Sequence, residues 1–332
     1  AFSTTRTDHH PTQQAPLAQP PRLLGVNPSH GLAPQPRIRK VLVVGAILAV
    51  ASVVALASDT PSAILLALVP LTYTIPLFVW LDRVEPEPRA MRWNAFLWGA
   101  GISVLVASLM NDLTSAVAGF AVAAVVSAPI SEEIMKVLGI SSAAKRRHID
   151  SPLDGAVYAG YVGLGFAAVE NVIYFSEAIS EDALGSTFVL RGLFSPLAHP
   201  YLSIWAGMAI GRAVQRGRSR RFAALRGLMI AIPLHATWNL GVVAPIFSIL
   251  LLGHIALFVV LIRRIRRMRR AEIATVRERL PRLAFIYNLS PAELEIYGNI
   301  RATARLRRQL PRLQRKAFDE RRVAVTKAAL RS

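Results

Sequence analysis

The feature that most constrains this chain is the length of its apolar runs. Blocks of 17 to 25 residues with few charges recur between residues 41 and 262. A run of roughly 20 such residues is what an α-helix needs to cross a hydrocarbon core. The residues are 53% hydrophobic with a mean hydropathy of +0.40, above what an ordinary soluble domain carries. The apolar residues come as continuous blocks and not as amphipathic stripes. The fold class expected is therefore all-α, a polytopic membrane protein.

Eight spans are expected, at residues 41–58, 62–81, 93–109, 116–140, 153–175, 192–213, 222–240 and 242–262. The connecting segments test that count. Arg83, Arg89 and Arg92 lie in one loop, Lys145, Arg146 and Arg147 in another, and Arg212, Arg216, Arg218, Arg220 and Arg221 in a third. Arg37, Arg39 and Lys40 precede the first span, while the alternate loops are short or acidic, with Glu177, Glu181 and Asp182 in one of them. The positive-inside rule then places both termini in the cytoplasm of a plasma-membrane protein.

Three domains follow. Residues 1–40, rich in Pro, Gln, Thr and His, read as a disordered cytoplasmic segment and do not resemble a signal peptide. Residues 41–262 form the transmembrane domain, and residues 263–332 a basic cytoplasmic tail. Of the net charge of +19, the tail holds +14, from 20 Lys and Arg against 6 Asp and Glu after Ile262. Beside a lipid bilayer that charge points to anionic headgroups, with no nucleic acid expected as partner. The sequence SPAE at Ser290 to Glu293 is a capping-box pattern, so part of the tail reads as helical. The chain has no cysteine, which excludes disulfides, thiolate metal sites and a cysteine nucleophile.

Ionisable side chains inside a span are costly and mark function by default. Here they are Glu132, Glu133 and Lys136 in span four, Glu170 beside Asn171 in span five, and His199 in span six. His235 with Asn239 follows in span seven, and His254 in span eight. Glu132 and Lys136, His199 and Ser203, and His235 and Asn239 are each four residues apart and so share a helical face. Four consecutive spans can thus aim polar groups at one interior point, where carboxylates and imidazoles can bind and activate water, by general base or by metal. Blander roles exist for each. Lys136 can snorkel to the interface, His254 reads as a helix–helix hydrogen bond, and Gly160, Gly163 and Gly165 read as points of close helix packing.

These residues resemble a known family. EExxK at Glu132, Glu133 and Lys136 comes first, then DGxxYAGYVGLGFAAVEN from Asp154 to Asn171, the intramembrane His199, and HATWN from His235 to Asn239. The set, with EPEPRAMRWNAFLWGA from Glu85 to Ala100, resembles the PrsW family of intramembrane proteases. The wider relatives are similar to CAAX prenyl-protease and bacteriocin-processing membrane proteins, which also use a glutamate pair and later histidines. The resemblance covers residues 60 to 262 and implies hydrolysis of a membrane-anchored protein substrate, in the PrsW family a membrane-spanning anti-sigma factor. From burial and neighbouring charge, Glu132 or Glu133 is expected to be the general base, with Lys136 holding the other glutamate ionised. Glu170, His199 and His235 would orient the water or hold Zn2+, a His2Glu set being a familiar zinc ligation pattern. Without metal, the same groups would stabilise the oxyanion, with Asn239 and Asn171 as donors.

One register conflict stands against a single site. Counted from the span boundaries, Glu132 falls in the cytoplasmic half of span four, and Glu170, His199 and His235 in the outer halves of theirs. Either spans four and five project beyond the interface, or Pro129 breaks span four. Two other classes compete with a protease: a proton-coupled transporter using the same Glu, His and Lys groups, and a scaffold whose tail recruits partners. The chain lacks the repeated halves of many transporters, and a scaffold leaves the carboxylates unexplained.

Overall fold

The computed structural model describes residues 37–56, 60–244 and 246–331; nearly all of the segment read above as disordered lies outside them. Every regular element among the described residues is helical. In chain order, α1 is Lys40–Leu56, α2 Thr60–Leu81 and α3 Arg89–Trp98, which runs through a π-helical turn, Gly99–Ser103, into α4, Val104–Ala118. After Gly119, α5 is Phe120–Val122, and a second π turn, Ala123–Ser127, leads into α6, Ala128–Lys145. Next come α7, Pro152–Ser180, and α8, Leu184–Thr187, with a third π segment, Phe188–Phe194, and then α9, Ala198–Gln215. The chain continues with α10, Arg220–Val243, and α11, Phe247–Leu283, and closes with α12, Pro291–Tyr297, α13, Ile300–Gln309, and α14, Arg312–Arg331.

Four helical stretches are long and apolar enough to cross a membrane: Pro61–Leu81, Arg89–Ala118, Pro152–Ser180 and Ser248–Leu283. The other core helices are shorter or carry the charged groups that lower their hydropathy.

The central helix is α7, whose most apolar window is 83% buried. It starts where a capping box dictates. The Ser151 hydroxyl accepts from the Leu153 and Asp154 N–H groups, and the Asp154 carboxylate accepts from the Ser151 N–H at 2.9 Å, satisfying donors that have no partner within the helix. Its glycines let neighbouring backbones approach. A Cβ on Gly163 would lie 2.6 Å from the Pro200 nitrogen and 2.9 Å from the His199 carbonyl carbon, so only glycine there seats the start of α9, and with it His199, against α7.

The boundary between expected spans three and four moves. Polar Asn111 to Ser115 reads as a loop, yet α4 continues through it to Ala118 and the chain turns at Gly119, where φ is +87°. Pro129 does not break α6. It lies in the helix's first turn, just after the π segment Ala123–Ser127, where a missing N–H costs least.

Beyond Ile262, α11 continues without interruption through RRIRRMRR. Val276 and Leu280 on it pack with Phe318 and Val325 of α14 and with Val84 of the loop after α2. The capping box at Ser290 forms and starts α12, with the Glu293 carboxylate accepting from the Ser290 N–H at 2.9 Å. In α14, Lys327 reaches Glu85 at 2.8 Å and Asp150 at 3.5 Å, and Arg331 also pairs with Asp150. The C-terminal helices are thereby tied to the loops at one end of the bundle.

Candidate active site

Helix α6 presents Glu132, Glu133 and Lys136 on its buried face, as the i, i+3 and i+4 spacing requires. Lys136 Nζ donates to Glu132 Oε2 at 3.1 Å and to Glu133 Oε1 at 2.9 Å, and lies 4.2 Å from the centre of the Phe166 ring. An ammonium in lipid-like surroundings needs such partners, so Lys136 does not snorkel.

Three other helices bring their groups to this face. Lys136 Nζ lies 2.9 Å from His199 Nδ1. An ammonium only donates, so Nδ1 is the acceptor and His199 carries its proton on Nε2, which donates to Glu170 Oε2 on α7 at 2.7 Å. His235 Nδ1 lies 3.1 Å from Glu133 Oε1. A carboxylate only accepts, so Nδ1 holds the proton and the Nε2 lone pair faces Glu132 Oε2 at 3.9 Å. Ser203 donates to Glu133 Oε2 at 2.8 Å. Glu133 is thus held by three groups, whereas Glu132 faces both imidazoles at 3.8 and 3.9 Å.

The donors of Glu132, His199 and His235 lie within 4.8 Å of one another. His235 Nε2 and Glu132 Oε2 are both acceptors and too far apart to bond. Such a pair is satisfied by a water that donates to both or by a cation. The His–His–carboxylate set suits zinc, and each imidazole has a carboxylate on its other nitrogen, Glu170 for His199 and Glu133 for His235, the arrangement that orients metal-binding histidines. The donor types suit a divalent metal, but Lys136 Nζ stands 3.1 Å from Glu132 Oε2 and 2.9 Å from His199 Nδ1, so an ion would have to displace that ammonium from two of the three donors. The carboxylate in this set is Glu132, while the expected third ligand, Glu170, sits behind His199 and pairs with Arg191 Nη1 at 2.7 Å.

Asn239 is set apart. Its Nδ2 donates to the Ala124 carbonyl at 2.7 Å, tying α10 to the π turn that precedes α6. His254 makes the helix–helix contacts expected of it, with Tyr201 Oη at 3.1 Å and Thr237 Oγ1 at 3.3 Å. Sequence reasoning passed over Arg191, since a basic residue at the edge of a span carries no periodic signal.

The register conflict disappears once the helices are measured from one end. Lys145 ends α6, Pro152 starts α7, Gln215 ends α9 and Arg220 starts α10. These ends meet, as in the 2.8 Å bond from Arg220 Nη1 to the Ala144 carbonyl. Glu132, Glu170, His199 and His235 then all lie roughly 20 to 27 Å from that end by the helical rise. The conflict came from span boundaries drawn by hydropathy, which cut charged turns from helices that continue through them.

A second acidic group, Glu85, Asp150 and Asp154, also has donors close enough for a metal, but Lys327 and Arg331 already fill it.

A helical membrane protein with carboxylates, imidazoles and an ammonium converging in its dry interior has the makings of an intramembrane hydrolase. The sequence profile described as PrsW family intramembrane metalloprotease matches residues 87–264, which contain every residue of the cluster. The chain belongs to that family, and is a peptidase of the membrane. It is 30% identical over 187 residues to Protease PrsW of Clostridioides difficile, covering 53% of this chain and 76% of that protein. Against Protease PrsW of Geobacillus kaustophilus it is 27% identical over 165 residues, covering 49% of this chain and 71% of the other. No solved structure matches it.

Proposed function

We propose that the protein hydrolyses a peptide bond of a membrane-anchored protein at the Glu132–His199–His235 cluster. The observation that carries this is the pair of unprotonated acceptors, His235 Nε2 and Glu132 Oε2, facing each other at 3.9 Å. A water between them is oriented by both and can pass its proton to Glu132. In this reading Glu132 is the proton acceptor. Glu133 holds His235, Glu170 holds His199, and Ser203 and Lys136 fix Glu133. The Lys136 ammonium, its three N–H groups directed to Glu132, Glu133 and His199, holds the two glutamates in place. In the alternative metal-dependent form, with the Lys136 ammonium displaced, Zn2+ would be held by Glu132, His199 and His235 and would supply a Lewis acid that acidifies water and polarises the scissile carbonyl.

Eight spans, with both termini cytoplasmic, accord with the arginine-rich turns after α6 and α9 meeting at one end of the bundle. The arginines of α11 after Ile262 suit anionic headgroups at that surface. An anti-sigma factor is the substrate implied by the resemblance. A transporter would use the same ionisable groups, but peptide hydrolysis is the activity of the family.

The test is cleavage of a membrane-anchored reporter in proteoliposomes, read by mass spectrometry of the products. Wild-type protein should cut at one bond, and His199→Ala and His235→Ala should each cut at least about 100-fold more slowly. Equal rates for all three would exclude the cluster.

A further inference from the structure

Exposure across the cluster is graded. The side chains of Lys136 and Glu133 are 0% exposed and that of His235 3%, rising to 6% for Glu132 and 8% for His199. It reaches 18% for Glu170 and 22% for Arg191. Exposure rises from Glu133 and Lys136 toward Glu170 and Arg191, the residue carried on the π segment Phe188–Phe194. Arg191, the most exposed of these side chains, is joined to the cluster through Glu170 and His199.

Arg191 is held in that position. Its guanidinium lies 3.4 Å from the centre of the Tyr174 ring, one turn beyond Glu170 on α7, and one nitrogen donates to Glu170 Oε2 at 2.7 Å. The segment that carries it is pinned on both sides. Phe188 stacks on Phe175 with ring centres 5.9 Å apart, and the Tyr73 hydroxyl donates to the Gly192 carbonyl. Of the five N–H donors of the guanidinium, only the one to Glu170 meets a hydrogen-bond acceptor among the described residues. The others have no such protein acceptor, on a planar fork suited to a carboxylate. Glu177, two turns beyond Glu170 on α7, lies within the electrostatic reach of Arg191 but makes no direct ion pair with it among the described residues.

Resting on the reading of the cluster given above, we infer that Arg191 is a substrate-recognition residue, which takes an acidic side chain of the substrate close to the scissile bond. Through Glu170 it also positions His199. The two roles separate experimentally. A role only through Glu170 lowers the rate for every substrate alike, whereas recognition changes the order of preference among substrates.

The experiment uses the full-length protein in proteoliposomes and a reporter carrying Asp, Asn or Lys at each position flanking the cut. Wild-type protein should prefer Asp to Lys at least about tenfold in kcat/KM at one flanking position. Arg191→Met should lose that preference, Arg191→Glu should reverse it, and Arg191→Lys should keep part of it. Thermal melts in detergent establish that each variant is folded. A preference left unchanged in Arg191→Met and Arg191→Glu, or no preference in the wild type, overturns the inference. Glu132→Gln serves as the separate control. If it cuts as fast as wild type, the reading of the cluster fails. If it is inactive while the Arg191 variants keep the wild-type preference, only the role of Arg191 fails.

Discussion

Glu133 Oε1 and His235 Nδ1 lie 3.1 Å apart across the contact of α6 with α10, and in the proposed reading that bond leaves Glu132 as the glutamate that meets the reactants. It fixes the proton of His235 on Nδ1 and turns Nε2 toward Glu132. With Ser203 and Lys136 also bound to it, Glu133 is a structural anchor. Glu133→Ala should therefore cost stability as well as activity, about 3 to 5 kcal/mol, because it leaves Lys136 with one carboxylate fewer in a buried site. Thermal or denaturant unfolding in detergent measures this.

Asn239 separates two accounts of the oxyanion. As a donor to the reacting carbonyl, its loss would cost about 100- to 1,000-fold in kcat. Its bond to the Ala124 carbonyl makes it a tie between α10 and the π turn before α6. Asn239→Ala should lower cleavage less than about tenfold, well short of the loss in His235→Ala, and steady-state kinetics on both variants test it.

The grouping of these side chains was legible because helical spacing is rigid. Glu132, Glu133 and Lys136 had to share a face, and so did His199 with Ser203. What spacing cannot convey is depth and partner choice. Hydropathy ended a span at residue 109 and began another at 116, while the helix runs through Asn111 to Ala118 because Ser127 and Ser131 of the facing helix bond to Asn111 at 3.0 and 3.2 Å. Glu132 and Glu133 read as interchangeable bases and Glu170 as a metal ligand, and only the fold sets Glu133 against His235, Glu170 behind His199 and Glu132 before both imidazoles. Arg191 was invisible for the same reason, since its partners are 17 and 21 residues earlier in the chain.

Metal content follows from the donor set. Protein purified with a divalent metal should hold about one ion, lost in His199→Ala and His235→Ala. Glu170→Gln should keep the site with about 10- to 100-fold weaker affinity, since it orients His199 from behind. Metal retained by both histidine variants would place the ion elsewhere.

Gly163→Ala tests the seat of α9. Its Cβ would meet the Pro200 nitrogen at 2.6 Å, so α9 must shift and carry His199 with it. A cost of about 1 to 3 kcal/mol in stability is expected from overpacking, with a loss of activity larger than at a packing position remote from the cluster. Paired melts and rates check this.

The loop after α2 should make stability depend on pH. Burial raises the Glu87 carboxyl to about 8 and the Asp82 carboxyl to about 7, with Lys327 and Arg92 opposing the shift. Each group takes up a proton more readily folded than unfolded. Its contribution is present below the ordinary carboxylate range and is lost as pH rises toward the folded value. The melting temperature should fall between pH 5 and pH 9, and Glu87→Gln should flatten that slope.

In the proposed mechanism Glu132 is the group that meets the attacking water. The direct measurement is the single-turnover cleavage rate of Glu132→Gln against wild type, on protein shown by its melt to be folded. The account predicts a loss of about 100- to 10,000-fold, the range for removal of a general base. A Glu132→Gln protein that cuts within a few-fold of wild type would contradict it.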